Sequence, residues 1–232
     1  MPVSLILPCF HPPQGWAEHI VNRFEEFCQA VGEKVELVLV IDGDGSEEIA
    51  SGAVILKASV PGVQIVRYEV NRGKGYAIRQ GVQAAKGDLI LYTDVDFPYT
   101  TASMVSVYKE LAQGRADVAI GVKDAAYYSH VPPVRKAISK VLRFMIRVFL
   151  SMPVTDTQCG LKGFKKEVAP LFLSTTINRY LFDLEFVKYC FRAKKYRVSP
   201  VPVGLTEQVK FRSMDYRILL PELLNFIRLL FR

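Results

Sequence analysis

The chain has 232 residues, of which 50% are hydrophobic and 23% charged, a composition that excludes a disordered or fibrous protein and fits one well-cored α/β domain over 1–232. A formal net charge of +7 suits phosphorylated substrates and anionic lipid surfaces; with no RNA-recognition signature, zinc-finger spacing or basic low-complexity arm, no nucleic-acid partner is expected. Cys9, Cys28, Cys159 and Cys190 are scattered without close pairs and read as reduced thiols, and MPVSLILPCF lacks a basic n-region and reads as a first strand, so a cytoplasmic compartment is expected.

Val3 to Leu7, closed by Pro8, and Val35 to Ile41, closed by Asp42 and Gly43, are short apolar runs that predict buried parallel strands. Between them Ile20, Phe24 and Phe27 share one face of a helix expected from about Gly15 to Val31. The alternation continues with a strand over Val63–Tyr68, a helix over Gly75–Ala85 and a strand over Asp88–Tyr92 that runs into Asp94 and Asp96. In sheets of this kind ligands sit outside the carboxyl ends of the strands, where Pro8, Asp42 and Asp94 fall. A helix near Thr101–Gln113, a strand at Asp117–Gly121 and a polar, aromatic loop from Lys123 to Pro133 follow, then helices at about 134–151 and Phe182–Ala193, a strand over Val198–Val203 and a terminal helix from about Met214 to Phe231.

Two short motifs carry chemistry. Asp94 and Asp96 are separated by one residue; in extended backbone they would point to the same side and converge on one hard cation, Mg²⁺ or Mn²⁺. The bland alternative is a solvated turn before a helix capped by Thr100 or Thr101. In NRGKGYAIRQG, Lys74 stands between Gly73 and Gly75 just before a helix, where backbone could approach an anion and the lysine would add a point charge for phosphate. Its bland alternative is a Gly-rich turn with a solvated lysine. His11, His19 and His130 lack the spacing of a zinc site and receive no role.

The series LILPCF, VLVIDGDGS, NRGKGYAIRQG, GDLILYTDVD and DTQCGLKGF, in this order, resembles family 2 glycosyltransferases over nearly the whole chain. DTQCGLKGF followed by RYLFDLEFV is most similar to the dolichyl-phosphate glucosyltransferase and mannosyltransferase branch. The resemblance implies a GT-A (Rossmann-like) fold with a mixed, mostly parallel sheet and helices on both faces, an inverting displacement, a nucleoside-diphosphate sugar donor and a polyprenyl-phosphate acceptor. It places Pro8, Cys9 and Asp42 with Lys74 on the donor side, Asp94 and Asp96 at metal and diphosphate, and Asp156, Gln158, Asp183 and Glu185 near the sugar. LPCFHPPQ lacks the acidic residue that relatives usually carry, and IDGDGS has an extra Gly43 relative to Asp-Asp-Gly-Ser. Phe97-Pro98 stands where mannosyltransferase relatives place a glutamine, which favours UDP-glucose over GDP-mannose.

Lys136, Lys140, Arg143 and Arg147 are spaced along one helical face among Val141, Phe144 and Phe149, which suits a bilayer interface; a core helix with a solvated cationic stripe is the alternative. The Leu-rich terminal segment must find a membrane, a protein partner or the domain's own core. The resulting expectation is a peripheral enzyme on a membrane's cytoplasmic face, with Lys123, Arg135 and Arg143 binding the acceptor phosphate. A sugar-hydroxyl acceptor would instead need Asp156 or Asp183 as general base. Two rivals are a nucleotidyltransferase, opposed by HPPQ in place of a triphosphate loop, and a non-catalytic membrane-binding module, which has no use for paired carboxylates.

Overall fold

The computed structural model describes residues 1–43, 45–123, 131–206 and 218–231. Seven strands, β1 (Val3–Cys9), β2 (Val35–Asp42), β3 (Gln64–Tyr68), β4 (Leu89–Tyr92), β5 (Val118–Lys123), β6 (Lys162–Lys165) and β7 (Val198–Val203), form one sheet in the order β3-β2-β1-β4-β6-β5-β7. All pair in parallel except β6, which runs antiparallel between β4 and β5. Helices among the described residues are α1 (Trp16–Val31), α2 (Glu47–Ser59), α3 (Lys74–Ala84), α4 (Thr101–Ala112), α5 (Pro133–Met145), α6 (Ala169–Leu173), α7 (Phe182–Ala193) and α8 (Leu219–Leu230). The chain passes from α5 directly into a π-helical segment, Ile146–Leu150.

Because β1, β2 and β4 are covered on both faces, their side chains alternate between two cores rather than between core and water. Leu5, Leu7 and Leu39 pack with Ile20 and Phe24 of α1, Ile49 of α2 and Val107 of α4. Ile6, Val40 and Tyr92 pack on the other side with Ile78 of α3, Phe172 of α6, Phe186 of α7 and Phe226 of α8. The predicted mixed, mostly parallel sheet with helices on both faces is therefore present, and the bounds of α7 and β7 coincide with those expected from sequence. None of the four cysteines forms a disulfide.

Three elements escaped the sequence reading. α2 has only Ile49, Gly52 and Leu56 buried, too thin a stripe to announce a helix, although Ser46 caps it by accepting from the Ile49 amide at 3.4 Å. The KGFK of β6 has no apolar run, and α6 is a single short turn. Residues 214–217 of the expected terminal helix, and 124–130 of the expected polar loop, lie outside the described residues.

Far from the ligand edge, Asp117 anchors the start of β5. Its carboxylate accepts from Lys165 Nζ at 2.7 Å, Arg197 Nη2 at 3.0 Å and the Arg197 amide at 2.9 Å. The Arg197 bond above all, with help from Lys165, holds this carboxyl well below the usual carboxylate range against the opposing effect of burial. A depressed folded-state value stabilises above the unfolded-state value and is lost as pH falls towards the folded one. Asp117→Asn is expected to cost roughly 2 kcal/mol at neutral pH, with the difference from wild type shrinking progressively below about pH 4. Urea unfolding at stepped pH checks it, and a pH-independent difference would refute the linkage.

Candidate active site

A cleft of about 650 Å³ opens at the carboxyl ends of the strands. The strand order reverses beside β1, since β2 and β3 lie to one side and β4 to the other, and a crevice forms at such a switch point. Pro8 and Cys9 reach the cleft from the end of β1, Asp42 from β2, Asp94 and Asp96 from the segment after β4, and Lys123 from β5. Antiparallel β6 begins at the same edge, so Gln158 and Gly160, which precede it, line the cleft too.

Both Asp94 and Asp96 line the cleft, for a different reason from the one their spacing suggested. β4 ends at Tyr92, and Asp94 to Phe97 is a tight turn closed by the Phe97 amide donating to the Asp94 carbonyl at 3.0 Å. Phe97 takes a φ of 43°, a left-handed conformation that costs a bulky residue roughly 1–2 kcal/mol, offset by burial of its ring. The turn, not an extended strand, sends both carboxylates into one cleft. Helix capping is done elsewhere, by Thr100, whose hydroxyl accepts from the Ser103 amide at 3.2 Å.

The NRGKG segment, which lines the cleft at Asn71, Gly73 and Lys74, is held by bonds within the protein. Asp42 lines the cleft from the end of β2, and its carboxylate accepts from the Arg72 amide at 2.7 Å, the Gly73 amide at 2.9 Å and Asn71 Nδ2 at 3.0 Å. The Gly75 amide donates to the Asn178 carbonyl at 2.7 Å. The Gly73 and Gly75 amides are thus satisfied within the protein, the first by the Asp42 carboxylate. Gly73 adopts a φ of 97°, and a Cβ there would stand 2.6 Å from the Asn178 carbonyl oxygen, so this glycine answers to chain packing.

Lys74 pairs instead with Asp94, Nζ to Oδ1 at 2.5 Å. Burial works to lower its pKa, but Asp94, Asp183 and Asp96 outweigh that and hold the ammonium above its ordinary value. Behind the pair lies Gly160, where any Cβ would overlap Asp94 Oδ2. The DTQCG loop is therefore the wall against which the first carboxylate rests.

The acceptor candidates divide. Lys123 and Arg135 line the cleft, whereas Arg143, two turns further along α5, does not. Asp156 accepts the Lys123 amide at 2.7 Å, and the Gln158 carbonyl accepts from Lys123 Nζ at 3.2 Å, so this pair positions the lysine. Asp183 lies beneath the cleft: it accepts from Tyr92 Oη at 2.6 Å and pairs with the fully buried Lys162 at 2.7 Å. Glu185 is also buried and accepts from the Thr176 and Ile177 amides, each at 2.8 Å, bracing the turn that carries Arg179 and Tyr180 to the cleft.

Sequence reasoning missed Lys162, Tyr92, Asn71 and Tyr99, which shape the site from below and beside it. No signal in KGFK marked Lys162 as a buried residue. Tyr99 Oη accepts from the Gly160 amide at 2.8 Å and so holds the DTQCG wall in place.

The Glycosyl transferase family 2 model matches residues 4–171, which run from β1 into α6. The chain belongs to glycosyl transferase family 2. Within the family it is similar to the dolichyl-phosphate beta-glucosyltransferase of Drosophila melanogaster, 30% identical over 184 residues, which cover 74% of this chain and 56% of that protein. The chain thus spans about half the length of the curated relatives it matches. The family 2 fold is GT-A-like: mannosyl-3-phosphoglycerate synthase from Rubrobacter xylanophilus aligns with a TM-score of 0.70 at 16% identity, covering 99% of this chain and 72% of that one. Glucosyl-3-phosphoglycerate synthase from Mycobacterium tuberculosis, crystallised with Mn²⁺, UDP-glucose and phosphoglyceric acid, aligns with a TM-score of 0.66 at 13% identity, covering 94% and 74%.

Hard divalent cations keep several waters and take one or two carboxylates together with substrate phosphates. Asp94 and Asp96 form such a partial set, and among the described residues no group of three or more His, Cys, Asp or Glu could hold an ion unaided. The residues therefore fit an ion whose remaining ligands would come from water or from a substrate's phosphates.

Proposed function

We propose that this chain is a metal-dependent, inverting hexosyltransferase that moves a sugar, glucose favoured, from a nucleoside-diphosphate donor to a polyprenyl phosphate at a membrane surface. UDP-glucose is the favoured donor and GDP-mannose the second candidate. One observation carries this reading: a single cleft has the Asp94 and Asp96 carboxylates at the sheet's switch point and Lys123, Arg135 and Arg179 around the rest of its wall.

A divalent ion bound at Asp94 and Asp96 would supply Lewis-acid neutralisation of the diphosphate leaving group. An acceptor phosphate oxygen donates its electron pair to the anomeric carbon from the face opposite the leaving group. The bond from that carbon to the diphosphate oxygen breaks, the nucleoside diphosphate departs with the pair, and the configuration inverts. No proton need be removed, because a phosphate monoester is ionised near neutral pH, and catalysis reduces to positioning and charge screening.

Lys123 and Arg135 screen the repulsion between two phosphorylated substrates, with Asp156 and Gln158 setting the position of Lys123. The engagement of Asp156 with the Lys123 amide and of Asp183 with Lys162 supports a phosphate acceptor over a hydroxyl one, since neither carboxylate is presented as a base. Arg143 would act at the lipid surface rather than at the reacting phosphate.

The surface of the protein supports membrane association. α5 has no fully buried residue, and Val134, Val141 and Phe144 are exposed on it, which disfavours a core helix. α8 buries only Phe226 and Leu229 and leaves Leu220, Leu223, Leu224 and Ile227 exposed. No helix among the described residues is long and apolar enough to cross a membrane. Peripheral attachment at a cytoplasmic face, alone or beside a membrane protein, is the placement this reading favours.

Incubation with UDP-glucose, UDP-N-acetylglucosamine or GDP-mannose and a short polyprenyl phosphate, with and without Mn²⁺, tests the proposal. The expected result is metal-dependent transfer, fastest with UDP-glucose, to a product of inverted anomeric configuration by NMR. Undiminished transfer in chelator, or transfer only to sugar hydroxyls, would overturn it.

A further inference from the structure

A second cavity, about 530 Å³, shares no lining residue with the strand-end cleft. It lies where the π-helical segment ends, α7 ends and α8 ends. Phe149, Phe191 and Phe231 line its apolar side, and Lys188, Arg192 and Lys194 bring cations to it. No carboxylate lines it among the described residues.

Lys188 is committed to the floor, donating to the Leu229 carbonyl at the end of α8. Arg192 and Lys194 are exposed. The aromatic wall opens outward too, Phe149 being 59% and Phe231 86% exposed. Together with the outer faces of α5 and α8 this makes a large apolar surface interrupted by a cationic hollow. Such a surface is costly in water and matches a ligand that is anionic at one end and apolar at the other.

We infer that this cavity seats the phosphate headgroup of an anionic bilayer phospholipid, against Arg192 and Lys194, with its acyl region along Phe149 and Phe231. A guanidinium grips phosphate through paired N–H bonds and an ammonium adds a point charge. The π-helical segment gives the site its logic. Arg135 near the start of α5 lines the strand-end cleft and Phe149 lines the hollow, so one surface helix of roughly 20 Å joins them. Lipid seated at one end holds that helix in the interface plane, where an acceptor phosphate would enter at the other. The inference deepens the membrane-surface reading above and rests on it.

Vesicle co-sedimentation with the full chain tests it, using phosphatidylcholine alone and phosphatidylcholine mixed with phosphatidylglycerol. The double variant Arg192→Glu/Lys194→Glu is compared with Lys57→Glu/Lys109→Glu, which makes the same charge change on exposed residues of α2 and α4 across the sheet. The first is expected to weaken binding to the anionic vesicles by at least about tenfold and the second by less than about twofold. Equal weakening by the two variants would reduce the effect to net charge and overturn the site, as would wild-type binding by the first variant or no vesicle binding by the wild type. Calorimetric UDP-sugar binding, measured in parallel without vesicles, is expected to be unchanged in both variants, so loss of the lipid site and loss of the donor site are read separately.

Discussion

Replacing Asp94 with asparagine is expected to lower kcat/KM for sugar transfer by about a thousandfold, equivalent to about 4 kcal/mol of transition-state stabilisation. The side chain keeps its shape and loses the charge that, on the reading proposed above, would hold the divalent ion against the leaving diphosphate. Because the ion would matter most as negative charge accumulates on the departing oxygen, kcat should carry most of the loss and KM little. The fold should survive. Lys74 loses its partner, but both side chains are partly exposed, 23% and 36%, and a pair of that kind contributes no more than about 1 kcal/mol. Steady-state kinetics across a Mn²⁺ titration, with a thermal melt as control, makes the measurement. Transfer within about tenfold of wild type at every metal concentration would remove Asp94 from the mechanism.

Lys162→Met should unfold at markedly lower denaturant, losing about 3–5 kcal/mol, a large part of a typical domain's stability. Lys162 is fully buried and bonds Asp183 Oδ1 at 2.7 Å and the Cys159 carbonyl, with its ammonium 5.7 Å from the centre of the Tyr92 ring. Methionine fills the space but leaves the Asp183 carboxylate in the core without its ion-pair partner, bonded to the Tyr92 hydroxyl and with Lys74 as a more distant cation. The double variant Lys162→Met/Asp183→Asn removes that stranded charge and should recover part of the loss, so the double-mutant cycle separates an unpaired charge from a packing defect. Activity should fall further than unfolding explains, since the Cys159 carbonyl is released one residue before Gly160, which backs Asp94. Urea melts of the four proteins decide it. A single variant within about 1 kcal/mol of wild type would show that Lys162 is dispensable to the fold.

The two expectations differ in how visible they were beforehand. Asp94 stands in a motif that advertises itself, at the end of an apolar run. Lys162 looks like any surface lysine, because nothing in KGFK tells that the strand is inserted between two others and covered on both faces. Asp42 is an intermediate case: its place at a strand end was legible, whereas its partners, amides 30 and 31 residues further along, were not. Gly73 and Gly75 were rightly singled out as positions of close approach, and the backbone they meet within the protein is that of Asn178 and Ile177.

By itself the amino-acid sequence determined the alternation of strands and helices, the two-sided burial of β1, β2 and β4, the edge at which ligands gather and the ordered motifs of family 2. These follow from local periodicity and from which residues end each run, quantities that do not depend on distant contacts. Only the tertiary structure decided that β6 would run antiparallel between β4 and β5. That insertion brings Gly160 against Asp94 and Lys162 under Tyr92 and Asp183, although those partners are dozens of residues away or on another element. Pairing across such separations is selected by the fit of whole layers, in which each strand must find both a hydrogen-bonding neighbour and two apolar faces, and no short window of residues contains that condition.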